Sequence, residues 1–240
     1  MVNGFPNDVM GYDRAITMFS PDGRLLQVEY AKETVNKGTP AVGVTFKEGV
    51  VLIADKVLFE KLVIPNSVEK IMPIDRHISA AMSGLVSDGR ILVEHAQVAA
   101  QNHRTTYDED VDIKSVVKDI CNQMQAFTQY GGMRPYGVSF LIAGYDDKPH
   151  LFITEVSGVY FEFKAGAIGE NSKKIIEYFN KNYKDGLTKN EAISLAVEAL
   201  KNALNSNFKI DRLEGVIIEK SDKTFKPINM KDFKGKDSKE

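Results

Sequence analysis

Cysteine and histidine are scarce in this sequence of 240 residues, and their scarcity excludes several kinds of site. The one cysteine, Cys121, cannot form a disulfide within the chain or build a multi-cysteine zinc site. The four histidines are His77, His95, His103 and His150, and they lack the spacing of metal ligands. We therefore predict no catalytic or structural metal.

Long hydrophobic runs and an excess of one charge are also missing. Lysine and arginine number 31 against 33 acidic residues, a formal net charge of −2, which argues against a dedicated nucleic-acid binder. No apolar run reaches the roughly 18 residues that a membrane-spanning helix needs. The first residues lack the basic and apolar regions of a signal peptide, and a free thiol is typical of a reducing compartment, so we expect a cytoplasmic location.

Known cofactor motifs are absent as well. The sequence contains neither a phosphate-binding P-loop nor the glycine fingerprint of a dinucleotide site, and it lacks the zinc-protease and nucleophile-elbow motifs. We predict no cofactor.

Apolar periodicity divides the chain into blocks of strands and pairs of helices. Helices are predicted at 25–36, 86–103, from 112 onward, 172–182 and 188–205. Strands are predicted at 41–46, 50–54, 62–64, 68–72, 77–83, 138–144, 150–155, 159–163 and 213–219. A parallel doubly wound sheet would alternate strands and helices singly, so this grouping favours antiparallel sheets covered by helix pairs. We predict one α+β domain over residues 12–220, a layered sandwich with helices outside two sheets.

The two ends of the chain differ from this domain in composition. Residues 1–11 are rich in Gly, Pro, Asn and Asp, which predicts a mobile N-terminal segment. A tight turn at Ser20 to Gly23 precedes an N-terminal helix of about 24–37, which Gly38 ends. Residues 221–240 are lysine-rich with few apolar side chains, so we expect this charged C-terminal tail to fray.

Several polar residues allow two interpretations each. The acidic residues at 108–110 and Asp112 form either a carboxylate cluster or, as we favour, a solvated loop at a helix N-terminus. Cys121 lies on or beside the apolar stripe of its helix, so a buried structural thiol is favoured over a nucleophile. Arg134 and Pro135 form either an anion-binding loop or, as we favour, a rigid turn between elements.

One stretch near the N-terminus is long, ungapped and rich in turn residues. Residues 12–30 read YDRAITMFSPDGRLLQVEY. Four shorter segments further along the chain are considered together with it: 66–71 (NSVEKI), 83–86 (SGLV), 129–139 (QYGGMRPYGVS) and 164–169 (KAGAIG). Together these segments resemble the proteasome α-subunit family, and its archaeal type most, over residues 12–219.

The resemblance implies a four-layer αββα sandwich of two antiparallel sheets flanked by helix pairs, with an extra N-terminal helix. It implies a non-catalytic α subunit of the 20S proteasome, a threonine-type endopeptidase complex, with no catalytic residue in this chain. In that family the outer heptameric α ring gates substrate entry, docks activator ATPases and templates the proteolytic β rings. The implied partners are further copies in a homo-heptameric ring, β subunits, C-terminal tails of activators, and unfolded substrates in transit. Neither nucleic acid nor membrane is implied.

Two sets of functional residues come with the resemblance. The gate set, which would hold the N-terminal segments in the open position, consists of Tyr12, Asp13, Arg14, Pro21 and Tyr30. The second set would form an activator-tail pocket between neighbouring subunits, and it consists of Lys70, Gly23, Arg24, Gly38 and Leu85. Lys70 would bind the terminal carboxylate of the tail as a point charge. The alternative role for Lys70 is a surface salt bridge with Glu69 or Glu48.

Two other functions stay open. A catalytic β-type subunit would use the Thr39 hydroxyl as nucleophile and its free α-amine as base, with Asp55 and Lys70 nearby. That chemistry needs cleavage between Gly38 and Thr39, yet the residues before this bond carry the α signature, and Pro40 is an awkward neighbour for the nucleophile. The other alternative is a stand-alone scaffold ring without β partners.

Overall fold

Two five-stranded antiparallel sheets form the centre of the computed structural model, which describes residues 11–12, 14–57, 62–64 and 67–233. The strands are β1 (Ala41–Phe46), β2 (Gly49–Asp55), β3 (Ile71–Asp75), β4 (Ile78–Gly84), β5 (Val138–Tyr145), β6 (Pro149–Thr154), β7 (Tyr160–Glu162), β8 (Ala165–Ile168), β9 (Leu213–Glu219) and β10 (Phe225–Ile228). The first sheet has the order β10-β9-β2-β1-β8 and the second the order β3-β4-β5-β6-β7.

Five α-helices surround these sheets in the described part of the chain. They are α1 (Leu26–Asn36), α2 (Val86–Tyr107), α3 (Ile113–Ala126), α4 (Ser172–Asn182) and α5 (Lys189–Leu204). Helices α2 and α3 cover the second sheet, α4 and α5 cover the first, and α1 packs near β4 and β5. The predicted α+β class and the sandwich of two antiparallel sheets between helix pairs are confirmed.

The hydrophobic core consists of three layers, because each sheet has one face against helices and one against the other sheet. The layer between the sheets contains Val50, Leu52, Leu141 and Leu151, all of which are buried. Every residue of β2 and β5 is buried, so these strands show continuous apolar runs instead of alternation.

Side-chain caps fix the starts of two helices. Asp112 caps α3, and its carboxylate accepts a hydrogen bond from the Ser115 backbone N–H at 2.9 Å. Thr188 and Glu191 form the reciprocal capping box of α5. The solvated-loop interpretation of the acidic run therefore holds for Asp112.

The strands predicted between β2 and α2 need correction. Residues 62–64 form a turn rather than a strand, and Leu62 and Ile64 are exposed there. The strand predicted at 68–72 lies instead at Ile71–Asp75, because Ile71 and Ile74 are the side chains that reach the core. Apolar composition alone located this strand a few residues too early.

Two strands were missed, and one lies in the segment that we expected to fray. Strand β8 is four residues long and contains Gly166, which weakens its sequence signal. Strand β10 pairs with β9, and the next residues fold over the sheet with Met230 buried. The expectation of a frayed tail is therefore wrong for residues 225–233, because their few apolar side chains suffice to cover the sheet. The rest of that tail, residues 234–240, and the N-terminal segment 1–10 lie outside the described residues.

Candidate functional site

A cavity of about 280 Å³ lies where the end of α1, the end of β4 and the start of α2 meet. We call it the Lys70 cavity. It is lined by Thr34, Lys37, Gly38, Thr39, Lys56, Val57, Val68, Lys70, Met82, Ser83, Gly84 and Val86. Three of these side chains are lysines and none is a carboxylate, and the Glu214 carboxylate lies just outside the lining, 3.8 Å from Lys56 Nζ.

Lys70 is the buried cation of this cavity, with only 7% of its surface exposed. Its Nζ donates a hydrogen bond to the Thr39 carbonyl at 2.7 Å and a further one to the Thr39 hydroxyl. Burial lowers the pKa of Lys70 to about 8, against the opposing effect of the Asp55 and Glu214 carboxylates. The alternative of a surface salt bridge with Glu69 or Glu48 is wrong, because Lys70 is buried and bonds to Thr39.

Gly38 and Leu85 from the predicted pocket set lie at this cavity or next to it. Gly38 lies beside the end of β4, and a Cβ atom added to Gly38 would lie 2.6 Å from the Gly84 backbone nitrogen. A side chain there would collide with backbone, which explains why glycine is needed. Leu85 lies between two lining residues and is 40% exposed.

Gly23 and Arg24, the other two residues of the pocket set, are not among the lining residues. They lie in the turn before α1, where Gly23 has a φ of +74° and donates its N–H to the Ser20 carbonyl at 2.8 Å. Arg24 forms a two-point ion pair with Glu29, with Nε at 2.7 Å from Oε1. Within one chain, the structure brings together Lys70 and Gly38 but not these two residues.

A second cavity, of about 430 Å³, lies on the other side of Thr39. Asp55 is buried there, and its carboxylate accepts two hydrogen bonds from the Arg212 guanidinium, one of them at 2.9 Å. Burial raises the pKa of Asp55, although the hydrogen bonds from Arg212 oppose that effect. Thr39, Lys70 and Asp55 are thus close together, as the catalytic alternative requires, but Thr39 stands in mid-chain with its nitrogen in a peptide bond.

A third cavity, of about 510 Å³, lies beside residues 14–17, and we call it the N-terminal cavity. Its lining consists of Arg14, Ala15, Ile16, Thr17, Gln27, Gly131, Gly132, Met133 and Arg134. Of the gate set, Arg14 lines this cavity, whereas Tyr12, Pro21 and Tyr30 are not lining residues. Asp13 lies outside the described residues.

The loop that forms one wall of the N-terminal cavity is fixed by an ion pair. The Arg134 guanidinium donates to both carboxylate oxygens of Asp88, at 2.6 and 2.7 Å. The Gly137 N–H donates to the same carboxylate at 2.9 Å. Arg134 is thus engaged by a carboxylate of its own chain, which supports the rigid-turn interpretation over an anion-binding loop.

Among the residues that the structure describes, two groups of acidic and histidine side chains have possible metal-ligand atoms within 4.8 Å of one another. In the first, Arg104 Nη2 lies 2.6 Å from Asp75 Oδ2 and 2.8 Å from Asp110 Oδ1, so a guanidinium occupies the space between the carboxylates. In the second, the His150 ring bridges Asp146 at 3.0 Å and Glu162 at 2.7 Å. These contacts engage carboxylates of the first group and the imidazole of the second, whereas Nδ1 of His77, the third member of the first group, makes no hydrogen bond.

Cys121 is buried in the core between α3 and the second sheet, as its position on the helix predicted. Burial raises the pKa of its thiol to about 12, so the thiolate that a nucleophile needs does not form near neutral pH. No helix within the described ranges combines the length and hydropathy of a membrane span.

Sequence reasoning missed most of the Lys70 cavity. Thr39 was considered only as a nucleophile, whereas the structure makes it the hydrogen-bond partner of Lys70. Lys37, Lys56 and Ser83 also belong to the lining. The available signal was the pattern around Lys70, a lone cation just before the apolar residue that starts β3.

Comparisons with known proteins agree with this architecture. Residues 35–218 match the family described as "Proteasome subunit", and residues 12–33 match the family described as the N-terminal signature of A-type proteasome subunits. The chain is 48% identical to the "Proteasome subunit alpha" of Archaeoglobus fulgidus over 225 residues, 94% of this chain and 92% of that protein.

Two further proteins of the same name show similar agreement. That of Methanosarcina thermophila is 50% identical over 91% of this chain and 89% of its own length, and that of Methanocaldococcus jannaschii is 47% identical over 93% and 85%. The family match, the N-terminal signature and the sandwich lead to one conclusion: the chain belongs to the proteasome subunit family, as an α-type subunit of the 20S core particle.

Proposed function

We propose that this chain forms the outer heptameric ring of the 20S particle, where it docks activators, gates substrate entry and templates the β rings. The observation that carries the docking part is the Lys70 cavity, whose lining includes three lysines and no carboxylate. A terminal carboxylate complements such a cavity, and its charge is strengthened in a partly desolvated site. A tail that ends in a carboxylate is therefore the ligand of this cavity.

The docking part is tested with Lys70→Ala in particles assembled with a β subunit. Stimulation of peptide hydrolysis by an activator ATPase is expected to disappear, because the buried cation that binds the tail is gone. The control is Lys118→Ala, which removes an exposed lysine of α3 far from the cavity in sequence. Retained stimulation in Lys70→Ala, with the control unchanged, would refute the docking role.

In the gating part of this proposal, the N-terminal segment lies across the entrance to the particle. It is supported by the N-terminal cavity, where the chain at 14–17 emerges beside the 131–134 loop. In the proposed gate Tyr12, Asp13, Pro21 and Tyr30 hold the open conformation across subunits, through tyrosine hydroxyl and carboxylate hydrogen bonds. The closed and open conformations need differ by only a few kcal/mol for docking to shift them.

Deletion of residues 2–11 tests the gate. Peptide hydrolysis by the assembled particle without activator is expected to rise, because the obstruction at the entrance is removed. Unchanged hydrolysis in a particle of normal composition would contradict the gate.

We propose further that this chain cuts no peptide bonds and that the particle lies in the cytoplasm. Two observations favour the catalytic alternative: the hydrogen bond from Lys70 to the Thr39 hydroxyl, and the Asp55 carboxylate in the cavity beside Thr39. However, Thr39 has no free α-amine unless the Gly38–Thr39 bond is cleaved, and that amine is the base of this chemistry. Intact mass spectrometry decides: a mature chain that begins at Thr39 would establish the catalytic alternative.

The scaffold alternative is tested by native mass measurement with and without a β subunit. Rings that never incorporate β would favour the scaffold.

A further inference from the structure

The Lys70 cavity and the N-terminal cavity border the same small unit of structure. The Lys70 cavity has the end of β4 and the start of α2 in its wall, at Ser83, Gly84 and Val86. The N-terminal cavity has the loop from Gly131 to Arg134 in its wall. Asp88 lies on α2, two residues after Val86 in the wall of the Lys70 cavity. Its carboxylate binds Arg134 in the wall of the N-terminal cavity.

Backbone contacts make the start of α2 and the end of the loop one rigid unit. The Leu85 N–H donates to the Gly137 carbonyl at 2.8 Å, and the Gly137 N–H donates to Asp88 Oδ2 at 2.9 Å. Gly84 packs so closely that a Cβ atom there would lie 3.1 Å from Val138 Cα. A displacement of Leu85 or Gly84 is therefore passed to Gly137.

The remaining link is the ion pair between Asp88 and Arg134. The Asp88 side chain is 9% exposed and that of Arg134 is 60% exposed, so the pair reaches from the packed start of α2 to the exposed loop. Burial disfavours the charged carboxylate, but the hydrogen bonds from Arg134 and Gly137 outweigh it and lower the pKa of Asp88. The two parallel hydrogen bonds fix the guanidinium in direction as well as in distance.

We propose that the Asp88–Arg134 pair transmits activator docking at the Lys70 cavity to the N-terminal cavity, which makes both residues positioning residues of the gate. The inference rests on the proposed docking and gating functions and names the contact that couples them. Neither residue lines the Lys70 cavity, so the pair makes no direct contact with a tail bound there and acts on the response to an activator through the coupling.

The test uses Arg134→Gln and Asp88→Asn in full-length chains assembled with a β subunit. Two quantities are measured: the maximal stimulation of peptide hydrolysis by an activator ATPase, and the activator concentration that gives half of it. We expect maximal stimulation to fall by about 5-fold or more, the lower range of measured allosteric couplings, and the half-maximal concentration to rise by no more than the same factor, because coupling between two sites is reciprocal. Arg134→Lys, which keeps the charge but not the two-point geometry, is expected to give an intermediate loss.

A matched control is available on the same helix. Glu94→Gln breaks the exposed Arg90–Glu94 pair, whose Nη1–Oε1 distance is 2.6 Å, and is expected to leave both quantities unchanged. Thermal melting and native mass establish that each variant folds and assembles. If Asp88→Asn fails to assemble, the exposed Arg134 variants still decide the question.

Deletion of residues 2–11 separates failure of this inference from failure of the gate. If the deletion does not raise hydrolysis in the otherwise wild-type chain, the gate itself is refuted. If it does, and Arg134→Gln responds fully to activator, the coupling role is overturned. A raised half-maximal concentration with full maximal stimulation would overturn it too, because the pair would then contribute to binding. Among chains that lack residues 2–11, those with Arg134→Gln should hydrolyse peptide as fast as those that keep Arg134.

Discussion

At the scale of single residues, Lys70 is a buried cation that hydrogen bonds to Thr39 hold in one position. Its ammonium group has exchanged water for two oxygens of Thr39, with the Asp55 and Glu214 carboxylates nearby. These contacts offset the loss of hydration less than a direct salt bridge would, so the charged form of Lys70 is disfavoured in the folded chain. A bound carboxylate would supply the missing charge.

The lowered pKa of Lys70 has a consequence for stability. Between pH 8 and about 10.5 the unfolded chain keeps the proton that the folded chain has lost, so the free energy of unfolding should rise with pH, by up to about 3 kcal/mol from this group. Chemical denaturation at several pH values measures it. Lys70→Met should lack this rise, and parallel pH curves for the two proteins would contradict the assignment.

Gly38 allows a sharp test of close packing. Gly38→Ala is expected to destabilise the chain by roughly 1–3 kcal/mol, because the new Cβ would meet the Gly84 backbone at 2.6 Å. Gly131→Ala is the control, since a Cβ there meets nothing within 4 Å. Denaturation midpoints compare the two, and equal effects would mean that the β4 end can move away.

At the scale of elements, the C-terminal segment shows how little apolar surface a strand needs. Strand β10 carries a lysine and Pro227, both tolerated because it lies at a sheet edge. After it, the chain turns so that Met230 enters the core beneath α5. This segment closes one end of the first sheet.

Removal of the Met230 side chain should therefore be costly. Met230→Ala is expected to lower the free energy of unfolding by about 2–4 kcal/mol, the usual cost of deleting a buried side chain of this size. Met133→Ala, at a residue that is 48% exposed, should have little effect. Urea denaturation of both variants gives the comparison, and an equally small effect at Met230 would mean that the segment is not anchored.

Sequence periodicity located the helices well and the contacts poorly. The predicted starts and ends of α4 and α5 lie within one residue of the observed ones, because a 3.6-residue repeat and, for α5, the capping box are local signals. Strands β8 and β10 were missed because they are short and contain Gly166 or Pro227, which are typical of turns. The Lys70–Thr39 contact joins residues that are 31 positions apart, and only the folded chain brings them together.

At the scale of the whole molecule, protection from solvent is unequal across the two sheets. Strands β2 and β5 are central and buried on both faces, whereas β7 lies at an edge and Phe161 within it is 56% exposed. Local opening needs less free energy where fewer neighbours are lost.

Hydrogen exchange should follow this order. Amides of β2 and β5 are expected to exchange most slowly, and those of β7 much faster, in the isolated chain. Exchange measured by mass spectrometry on overlapping peptides gives the ranking. Equal protection of β7 would indicate that another chain covers this edge, and its loss on dilution would identify a second copy as the cover.

The buried thiol described above gives the chain a practical property. Because Cys121 is inaccessible and its pKa lies near 12, thiol-directed probes should leave the wild-type chain unlabelled. A cysteine introduced at an exposed position can then be labelled selectively, without first replacing the native one. A fluorophore attached to Met133→Cys would lie beside the N-terminal cavity, and changes in its emission would report movement of the neighbouring N-terminal residues in real time.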